Sequence, residues 1–335
     1  MIILAFESSC DETSVAVAEI DGEKYKILSN IVASQISMHT LYGGVVPEIA
    51  SRAHTEAISR LTYEALSDAF VTPEDIDIVA VTSNPGLIGA LLVGVGYAKA
   101  WAYAHKKPIV AVNHIKGHTA AAYYSHEGLK APFFALVASG GHTSLIDVKS
   151  PTEYVTVGHT RDDAAGEAFD KVARLLGIGY PGGAAMDALA YEGDEKAIKL
   201  PSPALADSID FSFSGLKTAV INYVNNERQR GNEISNADIA ASFSSAVVKA
   251  IISTLEKAHG MYRYETLVIA GGVAANSHIR RTAAEFAEGK GIRLCIPDRS
   301  LCGDNAAMIA AQGYHEYIAG NLADSSLNAY ACQVT

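Results

Sequence analysis

The chain has 335 residues, an apolar fraction of 49%, and 26 basic against 37 acidic side chains, for a net charge of −11. That much apolar sequence builds the cores of two domains or one large one and excludes a disordered chain. The acidic balance excludes a broad nucleic-acid-binding face, so any RNA is held by a local patch or with positive charge from a partner. Cys10, Cys295, Cys302 and Cys332 form no C-x-x-C pair and are expected as reduced thiols of a cytosolic protein. The N-terminal MIILAFESSC has no basic n-region and is not read as a signal peptide.

In chain order, IILAF (2–6), SVAVAEI (14–20) and KYKILSNIVAS (24–34) read as strands, with the polar loop ESSCDET (7–13) after the first. PEIASRAHTEAISRLTYEALSDA (47–69) has helical periodicity with Pro47 in its first turn. IDIVAVTS (76–83) is a strand. GLIGALLVGVGYAKAWAYA (86–104) approaches the ~20 apolar residues of a membrane span. Its lysine, glycines and small residues fit a helix buried against a sheet better, so no membrane contact is expected. PIVAVN (108–113) is a strand that delivers His114.

A similar order restarts at FFALVAS (133–139), followed by the turn GGHT and the strand SLIDVK (144–149). Helices are predicted near 164–177, 183–192, 214–227 and 236–259. Then come the strand TLVIA (266–270), the loop GGVAAN (271–276), a helix to about 288, the strand IRLCIP (292–297) and a last helix over 303–319. The pattern is two α/β lobes, each opening with a β-hairpin, joined at SHEGLKAP (125–132).

NHIKGH (113–118) places His114 and His118 four apart, on one face of a helix if it is helical, where both can reach one ion. A zinc peptidase of the H-E-x-x-H kind needs a glutamate after the first histidine, and that position is Ile115. From spacing alone the pair reads equally as two ligands or as two hydrogen-bonded histidines at a helix start. LCGDNAAM (301–308) offers Asp304 at a strand-to-helix turn, as a third ligand or as an N-cap, with Cys302 ranked below it. Two histidines and a carboxylate with open positions suit Fe(II) or Zn(II) as a Lewis acid.

Three glycine loops, SGGHT (139–143), YPGGAAMD (180–187) and GGVAAN, allow backbone N–H groups to approach an anion. None matches a P-loop or dinucleotide fingerprint, and each alone reads as an ordinary turn. Together they favour a nucleotide-like ligand. In RDDAAGEAFDKVARLLG (161–177), Asp163, Glu167 and Asp170 fit a solvated first helical turn as well as a site. Asp11 and Glu12 are the other carboxylates able to face a ligand.

ESSCDET, NHIKGH, SGGHT, DDAAGEAFDKVARLLGIGYPGG, DFSFSGLKTAV, GGVAAN and CGDNAAM, in this order, closely resemble the TsaD family. These are the bacterial tRNA adenosine threonylcarbamoyltransferases, also called Gcp or O-sialoglycoprotein-endopeptidase-like proteins. The likeness runs from the first strand to the last helix. It implies a two-lobed α/β fold of the actin, Hsp70 and sugar-kinase type, with a nucleotide cleft between two related lobes. The expected lobes are 1–128, completed by the helix at about 305–325, and 129–304.

The resemblance also implies one divalent metal ion per chain, Fe(II) or Zn(II), on His114, His118 and Asp304. It implies a substrate loop of Val137, Ala138, Ser139, Gly140 and Gly141, and nucleotide contacts at Asp170, Gly183, Asp187 and Asn276. The implied reaction moves threonylcarbamoyl from threonylcarbamoyl-adenylate to the exocyclic amine of the adenosine 3′ of a tRNA anticodon, releasing AMP. The implied partners are a TsaB-like paralogue, bound through the N-terminal lobe, and a TsaE-like ATPase. Asp11 is expected to take the proton, with Glu12 second. A metal-dependent endopeptidase and an ATPase or kinase of the same fold are the alternatives.

Overall fold

The computed structural model describes residues 1–201, 205 and 208–332. The chain divides into two units, with a break between Ala131 and Pro132. Lys149–Tyr154 and the described residues from Pro297 onward belong to the first unit.

The first unit starts with β1 (Ile2–Glu7), β2 (Glu12–Asp21) and β3 (Lys24–Ser34), followed by α1 (Ile36–Thr40) and α2 (Pro47–Asp68). It continues with β4 (Ile78–Asn84), α3 (Ile88–His105), β5 (Ile109–Asn113), α4 (His114–Ala120) and α5 (Ala122–Ser125). Its sheet has the order β3-β2-β1-β4-β5, antiparallel in the opening hairpins and parallel from β1 through β4 to β5.

Alternation along β1 splits its side chains between two cores. Leu4 and Phe6 join Val15, Val17, Val79 and Val81 under Ile58 and Leu61 of α2 and Leu91 and Val95 of α3. Ile3 and Ala5 join Ala16, Ala18, Val110 and Val112 on the opposite face.

The apolar stretch at 86–104 is α3, and only one stripe of it is buried: Ala90, Leu91, Gly94, Val95, Ala98 and Ala102. Ile88, Leu92 and Tyr103 are exposed, so this helix is not enclosed on all sides as its composition suggests. Among the described residues the helix long and apolar enough for a membrane span is instead Asn236–Tyr262, and 67% of that apolar window is buried, as in a core helix.

The second unit carries β6 (Phe133–Ala138), β7 (Thr143–Val148), β8 (Tyr154–His159), α6 (Ala165–Leu175), α7 (Gly182–Leu189), α8 (Ser214–Arg230) and α9 (Asn236–Tyr262). It ends with β9 (Thr266–Ala270), α10 (Ser277–Lys290) and β10 (Arg293–Cys295). The sheet order β10-β9-β6-β7-β8 repeats that of the first sheet, with β6 in the place of β1 and β9 in the place of β4. β6 pairs antiparallel with β7 and parallel with β9. The internal repeat seen faintly in the letters is therefore a repeat of topology.

Two acidic and aromatic motifs without an evident purpose in the sequence hold each other here. Arg161 pairs with Asp210 at 2.9 Å. Asp162 accepts from the Ser212 hydroxyl and from the N–H groups of Phe213 and Ser214. Asp163 pairs with Lys171 at 2.8 Å and Lys217 at 3.0 Å, and Glu167 pairs with Lys171 at 2.7 Å. Asp163 and Glu167 thus act in packing rather than as free carboxylates, and Asp163 precedes the helix rather than lying on it.

The chain returns to the first unit with α11 (Ala306–Ile318), which covers the Ile3/Ala5 face of the sheet with Ala306–Ala310. The small side chains let helix and sheet approach closely, and a Cβ on Gly313 would lie 2.5 Å from that of Ala80. The chain then runs back along the sheet, where Ala323 N–H donates to Ile109 O and Tyr330 N–H donates to Ser83 O.

Candidate metal centre and ligand loops

His114 and His118 sit on α4 directly after β5. Asn113 caps this helix, its side-chain oxygen accepting from the N–H groups of Ile115 and Lys116. Both imidazoles are buried, with ring centroids 4.5 Å apart. Gly117 lets α4 press against α11, because a Cβ there would lie 2.7 Å from Ile309 Cδ1. That approach brings the residues before α11 to the histidines. Asp304 Oδ1 lies 3.2 Å from His118 Nε2 and 3.5 Å from His114 Nε2.

Asp304 is not the cap of the last helix, and that helix starts three residues later than the sequence suggests. Asn305 takes the cap position, accepting from Met308 N–H, which leaves the aspartate to face the histidines. The thiol of Cys302 points at the Pro297 and Asp298 carbonyls and stands apart from the set.

His118 fits a metal on an observation independent of spacing. It is 1% exposed; among the described residues Nδ1 has no hydrogen-bond partner, and Nε2 faces only Asp304 Oδ1 at 3.2 Å, outside hydrogen-bond geometry. A buried imidazole nitrogen without a hydrogen bond is costly, and a cation between Nε2 and the Asp304 carboxylate would satisfy both. One ligand atom from each of His114, His118 and Asp304 lies within 4.8 Å of the others. Three such ligands would leave positions open for substrate, the arrangement of catalytic rather than structural sites.

The electrostatics also demand positive charge. Burial works to lower the His114 pKa, but Asp304 and Glu7 on its two sides prevail and push it up to about 9. Burial would raise Glu7, yet the His114 charge and hydrogen bond hold it below the ordinary carboxylate range. A metal ion and a proton therefore compete for this place.

Asp11 closes the loop after β1 and Glu12 opens β2, in the same unit. Buried His54 anchors that loop, with Nε2 donating to Cys10 O at 2.9 Å and Nδ1 2.7 Å from the Thr13 hydroxyl. Gly86 seats it from the other side, with a Cβ there only 2.6 Å from Ser9 O. Burial, then the charges of Asp304 and Asp11, push the Glu12 carboxyl up to about 9. Glu12 is thus biased toward its protonated form.

In the second unit, Val137 pairs with Ala270 across parallel β6 and β9, so the loops after these strands leave the same sheet edge. The carboxyl ends of adjacent parallel strands are the usual ligand-binding edge of α/β sheets. Ser139 N–H donates to His142 O at 2.7 Å, and Gly166 N–H of α6 donates to Ser139 O. Gly140 and Gly141 are exposed, with nothing within 4 Å of where a Cβ would sit, so a ligand has access to their backbone. Val137 and Ala138 are buried strand residues that set the loop's exit.

Three of the four remaining residues have structural partners. Asp170 accepts from Gly182 N–H at 2.8 Å, tying α6 to α7, and Gly183 beside it is open to approach. Asp187 accepts from the N–H and hydroxyl of Ser277, and Asn276 caps α10 by accepting from Ile279 N–H. GGVAAN does not open the helix directly, because a 3-10 turn over Gly272–Ala275 intervenes.

The family model for tRNA N6-adenosine threonylcarbamoyltransferase, TsaD, matches residues 26–311. The chain belongs to the TsaD family. A relative of this name from Clostridium botulinum (strain 657 / Type Ba4) is 52% identical over 328 residues, covering 98% of this chain and 96% of its own. One from Clostridium perfringens (strain ATCC 13124) is 51% identical over 329 residues, with the same coverage.

Solved structures at low identity show the fold alone. HypF of T. kodakarensis aligns with a TM-score of 0.63 at 14% identity, over 97% of this chain and 49% of that one. An activator of the 2-hydroxyisocaproyl-CoA dehydratase from Clostridium difficile, with bound ADPNP, aligns with a TM-score of 0.53 at 16% identity, over 96% and 97%. The fold is of the sugar-kinase and actin type expected from the resemblance.

Sequence reasoning passed over Glu7 when it read the ESSCDET loop. Its signal was available: a carboxylate closing an otherwise fully apolar buried strand is costly unless something pairs with it.

Proposed function

We propose that this TsaD-family chain transfers a threonylcarbamoyl group from threonylcarbamoyl-adenylate to N6 of the adenosine 3′ of the anticodon in tRNA, releasing AMP. The observation that carries the reading is the His114, His118 and Asp304 set, in a chain 52% identical over nearly its whole length to a relative of that name. In the transfer, N6 attacks the carbamoyl carbon, a C–N bond forms, and the bond from that carbon to the phosphate oxygen breaks. The amine proton must leave, and the oxygens of donor and leaving group gain negative charge.

His114, His118 and Asp304 would hold the metal, Fe(II) or Zn(II), which when bound supplies a Lewis acid for the donor's oxygens. The backbone N–H groups of Ser139, Gly140 and Gly141 complement developing charge, an effect for which one donor is worth about 3 kcal/mol. Asp170, Gly183 and Asp187 receive the adenosine ribose, and Asn276 seats the nucleotide. Asp11 accepts the proton, with Glu12 second.

A TsaB-like paralogue docks on the N-terminal unit, and a TsaE-like ATPase completes the system. Exposed Tyr63, Ile88, Leu92 and Tyr103 on α2 and α3 support the first of these.

The test uses labelled donor and unmodified tRNA, with and without the two partners, followed by digestion to nucleosides. Label in threonylcarbamoyladenosine is the expected result, and no label under either condition overturns the reading. Asp11→Asn is expected to keep its metal and lose at least tenfold in transfer rate, within the usual range for loss of a general base. An Asp11→Asn rate equal to the unsubstituted chain's removes Asp11 from the proton transfer.

A further inference from the structure

Glu7 ends β1 and has no solvent exposure. The parallel register of β1 and β4, with Phe6 opposite Val81, sets it beside Thr82. Its oxygens are fully engaged. Oε1 accepts from Ser9 N–H at 2.6 Å. Oε2 accepts from the Thr82 hydroxyl at 2.6 Å and lies 3.1 Å from His114 Nδ1. The Ser9 hydroxyl is 3.2 Å from the same nitrogen.

A carboxylate beside Nδ1 places the proton there, so the lone pair sits on Nε2, the nitrogen that faces Asp304. His118 has no such support, since its Nδ1 has no hydrogen-bond partner among the described residues. The two histidines are therefore held differently, one by packing and one by a buried charge.

We propose that Glu7 is a positioning residue of the metal centre, fixing the tautomer and ring orientation of His114 so that its Nε2 serves as the ligand. The proposal rests on the metal-dependent reading of the function. A carboxylate behind a ligating imidazole raises the basicity of the ligand, and its loss typically weakens metal binding about 10- to 100-fold. Thr82 acts one step further out, by holding Oε2 in place.

The test measures Zn(II) affinity by chelator competition and records the visible spectrum of the Co(II) form. The full-length chain is compared with Glu7→Gln, Thr82→Val and His118→Ala. Glu7→Gln keeps the shape and removes the charge. It is expected to weaken Zn(II) about 10- to 100-fold and to shift the Co(II) bands. Thr82→Val is expected to weaken Zn(II) several-fold.

Unchanged affinity and spectrum in Glu7→Gln overturn the proposal and leave the metal reading intact. Should Glu7→Gln fail to fold, Thr82→Val decides alone: a several-fold loss supports the proposal and unchanged affinity overturns it. If the unsubstituted chain takes up no stoichiometric Zn(II) and His118→Ala changes nothing, the metal reading falls, and the role of Glu7 with it.

Discussion

His114→Ala is expected to lose bound metal and transfer activity together, with metal affinity falling more than about 100-fold, beyond the range for an outer partner. The substitution leaves His118 and Asp304 as two ligands, too few for a stable site of this kind. It also removes the imidazole from between Glu7 and Asp304. Glu7 is then a buried charge without its partner, which costs about 3–5 kcal/mol when a buried pair is broken. Stability should therefore fall as well. His118→Ala separates the two effects, because His118 has no contact with Glu7 to lose. It should lose metal and activity with a smaller drop in unfolding temperature. The measurement is metal content after dialysis beside the transfer rate, and full transfer by a metal-free variant overturns the metal's role.

Gly271→Ala is expected to destabilise the second unit by roughly 3–5 kcal/mol, the sum of a strained backbone and an overpacked contact. Gly271 has φ 91° and ψ 166°, a region open essentially to glycine alone. A Cβ there would also collide with the backbone of Ala138, including its carbonyl oxygen. Backbone cannot swing aside as a flexible side chain does, so either β9 or the Ser139–Gly141 loop must move. The unfolding midpoint should fall by about ten degrees for a unit of this size. Gly140→Ala is the control, since it adds a methyl group to open space. Its midpoint should stay close to that of the unsubstituted chain, while its transfer rate reports whether the donor approaches that backbone. A Gly271→Ala protein with unchanged midpoint would show that the two loops are not held against each other.

The elements that were legible are those whose sequence repeats at one period. β1, β4, β6 and β9 are short apolar runs buried on both faces, and α2 shows its 3.6-residue stripe plainly. β8 was missed because Tyr154–His159 is half exposed and shows no clear alternation. α3 misled in the other direction, since its outer face is as apolar as the inner one.

At the site, the two histidines were visible by spacing, and the aspartate was visible only as a choice between cap and ligand. That choice was resolved by a neighbour, because Asn305 takes the cap. The sequence signals that Glu7 needs a partner but not which one, because that depends on the register of β1 against β4 and on a histidine 107 residues away. Likewise, Asp187 and Asn276 gained their present partners from tertiary placement of the α10 start, which no local pattern announces.

The order in which the chain is made gives α11 a further significance. The sheet of the first unit is complete once β5 has been synthesised, but one of its faces awaits a helix that begins only at Ala306. At roughly 5–20 residues per second, that face stays uncovered on the ribosome for about 10–40 seconds while the whole second unit emerges. Asp304 arrives with the same segment, so nascent chains lack both a closed core and the third member of the candidate metal-binding set. A chain stopped before Pro297 would carry an apolar surface of Ile3, Val110 and Val112, making it a natural client for chaperones and proteases.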